Sequence, residues 1–106
     1  MDSVMSLVGE NPAVIFSKSS CCMCHTIVQL IRGFGANLTV YELDQLPKGK
    51  QIERELLALG RNPSVPAVFV GQKLIGGANE VMALHVQNEL GPMLIKAGAI
   101  FFWKRE

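Results

Sequence analysis

The chain has 106 residues, 49% of them apolar, with ten basic side chains against nine acidic for a net charge of +1. That length makes a single domain over residues 1–106 with material for one core, and the composition excludes a disordered chain. Balanced charge without a basic run excludes long-range attraction to nucleic acid, and no apolar run of about 18 residues exists to span a membrane. The first residues carry Asp2 and Glu10 with no basic opening, so they do not read as a secretory signal. A reducing compartment is therefore expected: the cytoplasm, and by diffusion the nucleus.

In chain order, "MSLVGE" reads as a short opening helix ended by Gly9. "PAVIFS" is a continuous apolar run, with Val14, Ile15 and Phe16, that suits a buried strand. Ser19 and Ser20 are cap-type residues ahead of a helix whose apolar stripe is Ile27, Leu30, Ile31 and Phe34, stopped near Gly33 or Gly35. Leu38, Val40 and Leu43, with Thr39 and Tyr41 between them, make a second strand. A second helix follows with Ile52, Leu56 and Leu59 on one face and Gly60 as its stop. Val68–Val70 and Lys73–Ile75 flank Gly71-Gln72, a hairpin signal. Asn79 is the expected cap of a third helix running to Leu90, ended by Gly91-Pro92, with a last short helix from Met93 to about Ala97. The order β-α-β-α-β-β-α predicts an α/β fold, a four-stranded mixed sheet flanked by about five helices.

Three cysteines, the chain's full complement, fall within "CCMC" at positions 21 to 24. An odd, clustered set does not staple a secreted domain, which spreads an even number along the chain. A closed zinc site needs four ligands, and this cluster adds only His25 and the distant His85. Thiol chemistry remains. Cys21 and Cys24 form a C-x-x-C between a predicted strand and a predicted helix, where unpaired amides and the helix dipole stabilise a thiolate and depress the pKa of Cys21. Lys18 adds a positive charge nearby, and His25 adds another when protonated. Cys21 is then the attacking thiol, and Cys24, about one turn into the helix and less exposed, can resolve a mixed disulfide. Cys22 reads as an exposed filler of the first turn, or as a modifier of the neighbouring thiolate. His85, mid-helix, reads as a structural or surface histidine.

A second constellation lies downstream. Val65-Pro66 precedes a strand, a place where a cis proline leaves the Val65 backbone free to pair with an extended ligand. Gly76-Gly77 precedes a helix start, where a ligand backbone can approach closely and a carboxylate is attracted. The sequence has no Walker ending.

Together, "FSKSSCCMC", "SVPAVFVG" and "GGANE" resemble the glutaredoxin family, in order and spacing over nearly the whole chain. The C-C-M-C form resembles the plant CC-type (ROXY-like) class. The resemblance implies a thioredoxin fold that binds glutathione as co-substrate. It makes Cys21 and Cys24 the catalytic, redox-active pair. It also implies a glutathione site of Lys18, Cys21, Met23, Asn62, Val65, Pro66, Gly77, Ala78 and Asn79. Lys18 would meet the glycyl carboxylate, Val65 the cysteinyl backbone, and Gly77 to Asn79 the γ-glutamyl end. Asn62 stands where many members carry Gln or Arg, and Cys22-Met23 stands where dithiol members carry Pro-Tyr. The CC-type class implies TGA-type bZIP transcription factors as partners. Ala99, Ile100 and Phe101 resemble the start of its co-repressor tail, whereas Phe102 and Trp103 depart from it.

The expected reaction is reduction of glutathionylated proteins and small disulfides. Cys21 attacks and retains glutathione, and a second glutathione or Cys24 releases it. Two alternatives stand beside it: a weakly catalytic glutathione-binding adaptor for bZIP factors, and a dimer in which Cys21 of each chain ligates a shared 2Fe–2S cluster. Otherwise a monomer is expected.

Overall fold

A computed structural model describes residues 2–59 and 65–98 of the chain. Nine elements follow one another there: α1 (Asp2–Gly9), β1 (Ala13–Ser17), α2 (Cys22–Gly33), β2 (Leu38–Glu42), α3 (Gly49–Ala58), β3 (Ala67–Val70), β4 (Lys73–Gly76), α4 (Ala78–Val86) and α5 (Leu90–Lys96). The four strands form one sheet in the order β2-β1-β3-β4. β1 pairs with β2 in parallel, across the α2 crossover, and with β3 antiparallel, and β3 pairs antiparallel with β4. This is the mixed sheet with five helices that the sequence predicts.

The pleat of β1 divides the core, because successive side chains point to opposite faces. Ala13 and Ile15 pack with Ile27, Val28 and Ile31 of α2, Val81 of α4, and Leu90 and Leu94 of α5. Val14 and Phe16 pack with Val4 and Val8 of α1 and Ile52 and Leu56 of α3. On that second face Phe16 stacks on Tyr41 and meets the edge of Phe69, with ring centroids 5.6 and 5.8 Å apart. Each fully buried aliphatic or aromatic side chain contributes about 1.5–3 kcal/mol. The β3–β4 hairpin turns on Gly71 and Gln72, both at positive φ, as a two-residue turn requires. No helix among the described residues is long and apolar enough to cross a membrane.

Several boundaries differ from expectation. Leu43 is buried but lies beyond β2. Leu59 is 38% exposed and is the C-cap of α3, which ends at Ala58, rather than a member of the face that Ile52 and Leu56 share. The third helix stops at Val86, not Leu90. Gly91 and Pro92 do not end it but lie in the first turn of α5, where proline's missing N–H costs no helical bond. Gly77, not Asn79, is the N-cap of α4. Gly60 and Asn62, and the tail residues Ala99, Ile100, Phe101, Phe102 and Trp103, lie outside the described residues.

Candidate functional site

The strand register gathers the site. β1 runs towards Ser17, which sits beside Glu42 at the end of β2. Phe16 faces Ala67 at the start of β3, and Val68 faces Gly76 at the end of β4. One end of the sheet therefore carries Lys18 and the cysteines, Val65-Pro66, and Gly76-Gly77, although these segments lie far apart in sequence.

Neither Ser19 nor Ser20 caps α2. Cys21 does so itself: it holds an extended conformation, and its Sγ accepts the Cys24 N–H at 3.1 Å. Sulfur thus occupies the place usually taken by a Ser or Asp oxygen and receives one of the unpaired amides of the first turn. Cys21 and Cys24 are disulfide-bonded, with Cα atoms 5.2 Å apart. Cys21 is half-buried, whereas Cys24 is fully buried. Cys22 is a free, exposed thiol at the first helical position, and Met23 beside it is 51% exposed. Cys22 takes part in the turn through its carbonyl, which accepts from the Thr26 hydroxyl at 3.3 Å.

The loop before Cys21 is tied on both sides. The Cys21 N–H donates to the Lys18 carbonyl at 2.9 Å. Ser19 donates its N–H to Asp44 at 3.1 Å and its hydroxyl to the same carboxylate. These two bonds hold the Asp44 carboxyl below the usual carboxylate range, the hydroxyl being the larger cause. His25 Nε2 lies 3.1 Å from the Ser19 carbonyl; a carbonyl can only accept, so Nε2 carries the proton. His25 therefore folds back on the loop. The Lys18 ammonium is paired with Glu53 of α3 at 2.9 Å.

At the other segments, the Val65–Pro66 peptide is cis, and Val65 is half-buried. Gly76 has φ +137, a region that disfavours side chains, and a Cβ there would stand 2.7 Å from the Glu80 side chain. Glu80 folds back to accept the Gly77 N–H at 2.8 Å, half of a capping box, while no side chain caps the first amides of α4. Gly77 is buried, Ala78 half-buried and Asn79 exposed. His85 is exposed and meets Phe34 edge-to-face at 5.8 Å, a surface packing role. Among the described residues no three His, Cys, Asp or Glu side chains gather as a metal site. Sequence reasoning missed Asp44 and Glu53, whose partners lie 25 and 35 residues away. It also missed Glu80, which a G-x-x-E spacing at the helix start could have revealed.

Residues 13–75 match the sequence model of the glutaredoxin family. The chain belongs to that family. Glutaredoxins are in general thiol–disulfide oxidoreductases. This glutaredoxin is 62% identical to monothiol glutaredoxin-S6 of Arabidopsis thaliana over 101 residues, which cover 95% of this chain and 99% of that one. It is 56% identical to the putative glutaredoxin-C14 of Oryza sativa subsp. japonica over 102 residues, with the same coverage. Among solved structures, a buckwheat glutaredoxin–glutathione complex superposes with a TM-score of 0.90 at 40% identity, covering 94% of this chain and 91% of that one. The holo form of glutaredoxin C1 from a Populus hybrid gives 0.86 at 40% identity, covering 91% and 95%. The fold is thus the thioredoxin-like fold of glutaredoxins.

Proposed function

We propose that this protein is a plant CC-type glutaredoxin that reduces glutathione mixed disulfides through Cys21. The observation that carries this reading is the position of Cys21: half-buried, N-cap of α2, its sulfur facing the Cys24 amide. When the disulfide is reduced, that amide and the helix dipole favour the thiolate, the attacking species. The thiolate attacks the glutathione sulfur of a mixed disulfide. A new S–S bond joins Cys21 to glutathione, the old one breaks, and the substrate leaves as a thiolate that takes a proton from solvent. A free glutathione thiolate then attacks the bound glutathione sulfur, releasing the Cys21 thiolate and glutathione disulfide, so one free glutathione is consumed for each mixed disulfide reduced. Cys24, buried behind Cys21, is not needed for this cycle, which accords with the monothiol name of the Arabidopsis relative.

Glutathione is proposed to lie along the gathered sheet end. Lys18 receives the glycyl carboxylate, the Val65 backbone pairs with the cysteinyl unit, and the segment Gly77, Ala78 and Asn79 at the start of α4 holds the γ-glutamyl end. Support comes from the register that collects these segments and from the glutathione complex of the buckwheat relative. The CC-type assignment rests on Cys21-Cys22-Met23-Cys24. A second reading, an adaptor for TGA-type bZIP factors in cytoplasm and nucleus, is favoured by exposed Met23 and Cys22, which the catalytic cycle does not use.

The test is glutathione-dependent reduction of a mixed glutathione disulfide coupled to NADPH oxidation by glutathione reductase. Turnover is expected in the wild type and in Cys24→Ser, with none in Cys21→Ser. Turnover retained by Cys21→Ser sinks the mechanism; glutathione binding without any turnover in the wild type moves the reading to the adaptor.

A further inference from the structure

The ammonium assigned to the substrate carboxylate already has a carboxylate. Lys18 Nζ lies 2.9 Å from Glu53 Oε2, and the two side chains are 34% and 30% exposed. Neither residue's backbone is free to drift. The carbonyl of Lys18 holds the Cys21 amide at 2.9 Å. Glu53 sits on α3 between Ile52, buried in the core, and the Glu55 turn, where that buried carboxylate accepts the Val4 amide at 3.0 Å. An incoming carboxylate that takes Lys18 must therefore displace Glu53 or sit beside it, and either way two like charges face one cation.

We infer that Glu53 is a resident competitor for Lys18, a specificity-determining residue that holds down the affinity for glutathione's glycyl carboxylate. The inference rests on the glutathione placement proposed above. It gives the opposite sign from an orienting role. A carboxylate that merely aimed Lys18 at the ligand would strengthen binding, and its loss would weaken it. A competitor weakens binding, and its loss strengthens it. A partly exposed ion pair of this kind contributes up to about 1 kcal/mol, so the change corresponds to roughly a two- to fivefold shift in Kd.

The experiment measures binding rather than turnover, so it stands apart from catalytic competence. The probe is S-methylglutathione, which has no thiol to exchange, titrated by NMR against reduced wild type, Glu53→Gln, Lys18→Gln and the double variant. Its glycyl monoethyl ester serves as a second probe. Glu53→Gln is expected to lower the Kd of S-methylglutathione about two- to fivefold, and to leave that of the ester unchanged. Lys18→Gln is expected to weaken the acid but not the ester, and in that background Glu53→Gln should have no further effect. If Lys18→Gln weakens binding while Glu53→Gln leaves it unchanged or weakens it too, the competitor role is overturned and the placement of glutathione survives. If Lys18→Gln has no effect and acid and ester bind alike, the placement itself is wrong and the competitor role falls with it.

Discussion

Helix α2 begins on a sulfur and helix α4 begins on a glycine. Both starts lie at the end of the sheet where β1 and β4 finish. At α2 the cap is the proposed nucleophile: Cys21 Sγ takes the Cys24 amide. At α4 the cap has no side chain, and Glu80 satisfies the amide of Gly77 while the first helical amides receive no side chain. The contrast teaches that capping is a choice about which atoms stay available. One helix directs an amide to the sulfur proposed to react. The other leaves its first helical amides without a side-chain partner, where the proposed ligand would meet them.

The largest expected effect separates the two duties of Cys21. Cys21→Ser should abolish turnover in the coupled assay yet keep the helix capped, since serine is a good N-cap. Cys21→Ala should abolish turnover and also lose about 1 kcal/mol of stability relative to the serine variant, read by urea unfolding with both proteins reduced. Equal stabilities would mean that the cap contributes nothing at this position.

At the other helix, Gly76→Ala should destabilise the protein by about 1–3 kcal/mol, because φ is +137 and the new methyl meets the Glu80 side chain. Urea midpoints check this, and a neutral substitution would show that the β4–α4 junction relaxes freely. Glu80→Ala should cost less, about 0.5–1 kcal/mol, through loss of half a capping box. A variant as stable as wild type would show that water replaces the carboxylate at no cost.

The smallest effect concerns the loop before Cys21. The Asp44 carboxyl is held below its usual range by Ser19, so its bonds are fully present above the ordinary carboxylate pKa and are lost as pH falls through the lower folded value. Exchange of the Ser19 amide should accelerate, after correction for intrinsic rates, below that range. In Asp44→Asn the acceleration should already be present at neutral pH. Identical corrected exchange in the two proteins would place the restraint on the loop elsewhere.

Much of this architecture was legible in local pattern. The apolar period of α2, the glycine turn of the hairpin and the run of β1 each encode their element within a few residues. The site was legible where chemistry-bearing residues are unusual in themselves, as with the C-x-x-C and Val65-Pro66. What escaped was long-range or unconventional. Ser19 looked like a cap and instead binds Asp44, which no local pattern announces. Cys21 is not a usual capping residue, so its position at the helix boundary was read one step too early, at the serines. Asn79 looked like the cap of α4, but the backbone of Gly77 and the returning Glu80 fill that role. Glu53 reads from its neighbours as an ordinary helix-surface acid, and only the docking of α3 against β1 brings it to Lys18.

The buried carboxylate of Glu55 has a consequence for how the molecule comes apart. It reaches across 51 residues to accept the Val4 amide, one of the donors that α1 cannot satisfy internally. Eight residues are too few for a helix to persist alone in water. Detachment of α1 would take the Val4 amide from Glu55, which keeps its bond from Gln51, and uncover the face of α3 that Ile52 and Leu56 share. Fraying at the amino terminus therefore removes part of the packing of α3, and α3 is the helix that delivers Glu53 to Lys18. Changes made to the first residues of the chain, remote from any cysteine, are expected to be felt at the Lys18–Glu53 pair.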